Sequence, residues 1–187
     1  MHFYNGQSIE GLGMKKHLGW FFTLGFLALA FIIIWESYAV SNADSSNNVQ
    51  KRAPDFELLN LEGKSVSLSD HNGKIRIVDF WATWCPPCRA EIPHFNALTQ
   101  RYPELVILGI ALDREGPQVV KSFAEEFKVQ YPLLMGNIKT VQAFGNIESI
   151  PTTFVIDQKG FIIRKYVGYR SQEVFEADIQ TLMNSGS

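Results

Sequence analysis

The chain's only thiols are Cys85 and Cys88, separated by Pro86 and Pro87. A pair at this spacing can serve redox exchange, form an inert disulfide, or supply half of a metal site. A multi-disulfide framework and a four-cysteine zinc site are excluded by the count. The run before the pair, Ile75–Trp81 (IRIVDFW), reads as a buried strand, and the residues after it read as helix. Cys85 therefore falls at a helix start, where unpaired N–H groups and the helix dipole favour an anion, here a thiolate. Thiolates attack disulfides and thiols do not, which makes Cys85 the natural nucleophile. Cys88, one turn further on and expected to be more covered, is the thiol that attacks the mixed disulfide and releases product. Pro86 and Pro87 have no N–H to offer the thiolate, so the Cys88 amide remains as donor. Weak thiolate stabilisation predicts a reducing couple. The alternatives are a structural disulfide and a non-enzymatic copper or zinc carrier using the two cysteines plus His94. The histidines of this region, His71 and His94, have no metal-site spacing to the pair, so redox exchange is the favoured reading over a metal site.

Two acids stand close by in sequence. Asp79 interrupts an apolar strand six residues before Cys85. Burial there raises its pKa and suits it to accept the Cys88 proton; the alternative is a strand-end aspartate paired with a lysine or water. Glu91 follows Cys88 by three residues and shares its helix face; the alternative is an ordinary solvated glutamate. Trp84 is expected to form an apolar platform beside Cys85, and Trp81 to lie in the core. Arg89 is either a charge that favours the thiolate or a surface cation.

The elements that must position these residues follow from pattern. Phe56–Leu61 and Ser65–Leu68 flank Glu62-Gly63-Lys64 as a short hairpin. Pro86 to about Tyr102 is helical with Pro93 as a kink, and Leu105–Leu112 is a second buried strand, parallel to the first. Pro117 opens a helix whose apolar face is Val119, Val120, Phe123 and Phe127. A short helix at Ile138–Phe144, a hairpin of Thr153–Asp157 and Phe161–Val167, and a helix from Ser171 to about Met183 complete the order. Strands alternating with helices predict an α/β sandwich around a mixed sheet.

The 187 residues suit one domain and an appendage. A net charge of −2 gives no basic field that would point to nucleic acid. The mean hydropathy of −0.03 averages a polar domain with one apolar segment. Residues 18–35 carry no charge and as a helix would span about 27 Å, close to a hydrocarbon core of about 30 Å. They are expected to be an uncleaved transmembrane anchor; cleavage after Ala39 at the small-x-small site is the alternative. Lys15 and Lys16 then place residues 1–17 in the cytoplasm and the rest outside. The Ser- and Asn-rich residues 36–52 read as a flexible tether, with the domain at 53–187.

With these residues assembled, Val78–Cys88 (VDFWATWCPPC) resembles a thioredoxin-fold active site, with Pro93 as its helix proline and Ile150-Pro151-Thr152 as its cis-proline loop. Ala53-Pro54-Asp55-Phe56, the Gly63-Lys64 hairpin and Arg89-Ala90-Glu91-Ile92-Pro93 narrow the resemblance to membrane-tethered, extracytoplasmic thioredoxin-like proteins of the TlpA/ResA/CcmG group. The resemblance implies a thioredoxin-like α/β fold with an N-terminal β-hairpin, an inserted helix at 117–128 and one preceding transmembrane helix. It implies a thiol–disulfide oxidoreductase with no bound cofactor, catalysing through Cys85, Cys88, Asp79 and Glu91. Trp84, Pro86, Pro87, Ile150 and a cis Pro151 would meet the substrate strand. Members often reduce protein disulfides in cytochrome c or oxidase maturation and are recharged by a membrane thiol relay of the CcdA/DsbD kind. That implies a bacterial inner-membrane protein with its catalytic domain in the periplasm or cell exterior. The ResA branch has an acid at Glu91 but none at Asp79, so the titrations of this chain's two acids could be coupled. A peroxiredoxin-like peroxidase is the competing enzyme class; Thr83 is nearby, but the adjacent Cys88 and Trp84 fit disulfide exchange better.

Overall fold

A computed structural model describes residues 51–185. The expected anchor at 18–35, the segment at 1–17 and the tether up to residue 50 lie outside the described residues. Among the described residues no helix is long and apolar enough to cross a membrane.

The elements are β1 (Glu57–Leu59), β2 (Ser65–Ser67), a 3-10 turn (Leu68–His71), β3 (Arg76–Trp81), α1 (Pro86–Arg101), β4 (Val106–Ala111), α2 (Pro117–Glu126), β5 (Leu133–Met135), α3 (Ile138–Ala143), β6 (Thr152–Ile156), β7 (Ile162–Val167) and α4 (Gln172–Ser185). The main sheet has the order β5-β4-β3-β6-β7, and β1-β2 is a separate hairpin. β3 pairs parallel with β4 across α1, and antiparallel with β6. The mixed sheet and inserted helix are as expected.

β3 is buried at every position because it is central, with helices on one face and the hairpin and α3 on the other. Side chains alternate along a strand. Val78 and Phe80 enter the cluster with Phe56, Leu58, Phe144 and Phe154; Ile77 and Trp81 enter the cluster with Ile92, Phe95, Leu98, Phe123 and Phe175. By parity Asp79 is on the second face, under α1. α1 presents Cys88, Ile92, Phe95 and Leu98 inward at helical spacing and runs on past the exposed Pro93.

Several boundaries differ from expectation. The domain begins before Ala53: Arg52 bridges Phe161, the Lys51 carbonyl accepts from Ile162 N–H at 2.9 Å, and the Arg52 guanidinium lies 5.0 Å from the Phe161 ring centre. Lys51 and Arg52 are thus part of the fold, not of the tether. Val119 is exposed, leaving Val120 and Phe123 as the buried positions of α2. The edge strand β5 has no counterpart in the sequence reading. It has three residues between Pro132 and Gly136, too few for a period, and exists because it pairs with Gly109–Ala111 of β4.

Candidate active site

Cys85 and Cys88 form a disulfide, Cα to Cα 5.3 Å. Cys85 is the extended N-cap of α1, with Pro86 and Pro87 in the first helical positions, and its sulfur accepts the Cys88 N–H at 3.3 Å. Both cysteines are 3% exposed, so the expected difference in cover is absent in the oxidised state. The accessible surface around them comes from their neighbours: Trp84 is 63% exposed, and Pro86 and Pro87 are exposed. Trp81 is in the core, as expected.

The turn that delivers Cys85 is held from the end of β4. Thr83 N–H donates to both carboxylate oxygens of Asp113, each at 3.2 Å, and the Thr83 hydroxyl donates to Asp113 Oδ1. Asp113 had no sequence signal, since in sequence it is one polar residue in a turn after a strand. Asp113→Ala leaves the Thr83 N–H without its acceptor and is expected to cost about 1–3 kcal/mol of stability by urea unfolding. Asp113→Asn, which keeps one acceptor oxygen, should recover part of it.

Asp79 is 2% exposed and accepts from the Thr153 hydroxyl at 3.0 Å, directly across the β3–β6 register. No lysine among the described residues pairs with it. Burial pushes its carboxyl up to about 7 against the opposing Thr153 hydrogen bond. Opposite it on β4 stands Gly109. A side chain there would meet Leu133 at 2.6 Å and crowd Trp81 and Tyr131, so the glycine makes room for these three side chains.

Glu91 is fully buried, which overturns the solvated alternative. Its Oε1 accepts from the Arg170 N–H at 2.7 Å. Burial, and then the Asp79 charge, push its carboxyl up to about 8; the Arg170 N–H and guanidinium oppose this. The two acids therefore sense one another, and Tyr131, raised by burial and by both carboxylates, senses them too. Thr153, Arg170 and Tyr131 are members of this cluster that the sequence did not single out, because strand register and a distant loop bring them in.

Ile150–Pro151 is cis. Phe80 pairs with Thr152, which puts Pro151 at the sheet end where β3 runs into the cysteine turn. Pro151 is buried and Ile150 half-buried. Arg89 is the surface cation of the two alternatives: it is exposed, and its guanidinium lies over Phe127 at 4.8 Å and Phe123 at 5.8 Å, a cation–π stack on α2. The ring of His94 faces Tyr169 at 5.7 Å.

The profile of the AhpC/TSA family matches residues 49–165. The chain belongs to that family. Its relatives include a thiol-disulfide oxidoreductase ResA of Bacillus cereus, 31% identical over 90% of this chain and 99% of that protein. Another is the thioredoxin-like protein YneN of Bacillus subtilis, 35% identical over 67% of this chain and 75% of that one. Among solved structures, a thiol:disulfide interchange protein of the thioredoxin family from Chlorobium tepidum superposes with a TM-score of 0.66 at 34% identity, covering 71% of this chain and 96% of that one. This AhpC/TSA member is an enzyme, a thioredoxin-like thiol–disulfide oxidoreductase. Thr83, the residue the peroxidase reading draws on, is engaged by Asp113.

Proposed function

We propose that this chain reduces disulfides of proteins outside the cytoplasm, held at the bacterial inner membrane by residues 18–35. Its substrates would be proteins such as those of cytochrome c or oxidase maturation, and its reductant a membrane thiol relay of the CcdA/DsbD kind. No bound cofactor is required, because the Cys85–Cys88 pair carries the two electrons.

The observation that carries the proposal is the Cys85 sulfur at the start of α1 with the Cys88 N–H aimed at it. In the reduced enzyme the Cys85 thiolate attacks a substrate disulfide, and one substrate sulfur leaves as thiolate. Cys88 then gives its proton to the Asp79/Glu91 pair, and its sulfur attacks Cys85. The bond from Cys85 to substrate breaks, the second substrate sulfur leaves as thiolate, and the enzyme disulfide re-forms. Trp84, Pro86 and Pro87 offer an exposed apolar rim for a partner, and the Ile150–Pro151 segment offers backbone to an extended substrate strand.

With two prolines after Cys85 and one N–H on its sulfur, the reduction potential is expected near about −270 mV, away from the roughly −120 mV of strong oxidants, by equilibration with a glutathione buffer. The decisive experiment expresses full-length Cys88→Ser in membranes and identifies the proteins captured in mixed disulfides. Capture of extracytoplasmic, cysteine-containing partners supports the reading; peroxide turnover exceeding disulfide reduction in the wild-type enzyme sinks it.

A further inference from the structure

The loop between β7 and α4 carries no thiol and lies outside the cysteine motif, yet it touches the site twice. Gly168, at φ +81°, turns the chain so that its N–H donates to the Pro151 carbonyl at 2.8 Å. Two residues on, the Arg170 N–H donates to Glu91 Oε1 at 2.7 Å. The Arg170 guanidinium folds back over the loop, donating to the carbonyls of Tyr169 at 2.7 Å and Gly168 at 3.4 Å, and lies 5.4 Å from the Tyr166 ring centre. The second carboxylate oxygen, Glu91 Oε2, is buried and has no hydrogen-bond partner among the described residues. One oxygen is committed to the loop, and the other is open to a proton.

We propose that Arg170 is a positioning residue for disulfide exchange: its N–H pins Glu91 Oε1 and its guanidinium holds the loop shut, so that Oε2 is the atom that takes the Cys88 proton. This rests on the dithiol mechanism above. The proton passes from the Cys88 thiol to Oε2, the electron pair stays on sulfur, and that sulfur displaces substrate from Cys85. The charged and titratable groups around Glu91 are few. β3 supplies Asp79, the segment before β5 supplies Tyr131, and the loop supplies Arg170. On α1, Cys88 precedes it by three residues and His94 follows by three. On α4, which packs against α1, Glu176 is held by Arg101 and Tyr102, Asp178 by Tyr166 and Arg164, and Glu173 has His94 as its charged neighbour.

The test uses the full chain in detergent, with Arg170→Ala and Arg170→Lys, each also in a Glu91→Gln background. Removing the guanidinium, its contacts to the loop carbonyls and its charge makes the Glu91 carboxylate harder to form. Reduction by Arg170→Ala should be about three- to tenfold slower at pH 7 and regain the wild-type rate at higher pH, as for an acid displaced upward by up to about one pH unit. Arg170→Lys keeps the charge but not the guanidinium's contacts to the loop carbonyls and should fall between. In the Glu91→Gln background neither change should matter. The titration of 13C-carboxyl-labelled Glu91, read by NMR, should move with the rate profile. A rate loss equal at every pH, or an unmoved Glu91 titration, overturns the proposal. A wild-type chain that reduces no disulfide overturns the functional reading instead, and the NMR titration still decides whether Arg170 positions Glu91.

Discussion

Cys85→Ser abolishes disulfide reduction, and Cys88→Ser converts the enzyme into a trap: this pair of opposite outcomes is the largest effect expected. A serine hydroxyl at residue 85 is not ionised near neutral pH and cannot form the mixed disulfide, so no alternative route remains. At residue 88 the serine leaves the first attack intact and removes the second. Covalent complexes then accumulate and dissolve on adding a small dithiol. The asymmetry has a structural cause. The Cys85 sulfur is the N-cap of α1 and receives the Cys88 N–H, whereas Cys88 is already inside the helix. Turbidity of a reduced test protein measures the first outcome, and non-reducing gels with mass spectrometry measure the second. Complexes formed by Cys85→Ser through Cys88 would reverse the roles.

The second large effect is a gain of stability on removing an acid. Asp79 is 2% exposed and its carboxyl is raised from 3.8 to about 7 by burial. The folded state therefore holds this proton more tightly than the unfolded chain does. The acid's contribution is most favourable below about pH 4 and is lost as pH rises through about 7, since folding must then bury a charge. Asp79→Asn keeps an oxygen for the Thr153 hydroxyl and removes that cost. It should be more stable than wild type by about 2–4 kcal/mol at pH 9 and nearly equal to it at pH 3, by urea unfolding. The same variant should slow disulfide reduction, because the Asp79/Glu91 pair that takes up the Cys88 proton loses a member. Glu91, raised to about 8 partly by Asp79 itself, titrates with it as a pair. Asp79→Asn should thus lower the Glu91 titration as well as remove its own. If neither Asp79→Asn nor Glu91→Gln moves the pH–rate profile, the proton-acceptor assignment goes for both.

A stability gain at the cost of rate is the signature of a group retained for chemistry. Apart from Thr153, Glu91 and Tyr131, the core around Asp79 is apolar, with Ile77, Trp81, Ile107 and Phe95 fully or nearly fully buried on the same face. Asp113 makes the opposite case. Its carboxylate collects three donor contacts from Thr83 and fixes the turn before Cys85.

What the sequence determined by itself was local or periodic. The C-x-x-C spacing, the prolines in the first turn and the strand before them set Cys85 at a helix start, because helix N-termini and β runs are written in neighbouring residues. The apolar IRIVDFW and LVILGIAL runs announced central parallel strands, and an acid inside the first of them announced a buried carboxylate. The tertiary structure decided everything that depends on which strand lies beside which. Register across β3 and β6 gave Asp79 its Thr153 hydroxyl. A three-residue strand, too short to have a period, formed only because β4 was there to pair with it. Glu91 stood out in sequence only by its place one helical turn after Cys88 and by resemblance. Its burial, and the Arg170 N–H that holds it, come from a loop 79 residues away, a contact that the folded chain makes and no local pattern can encode.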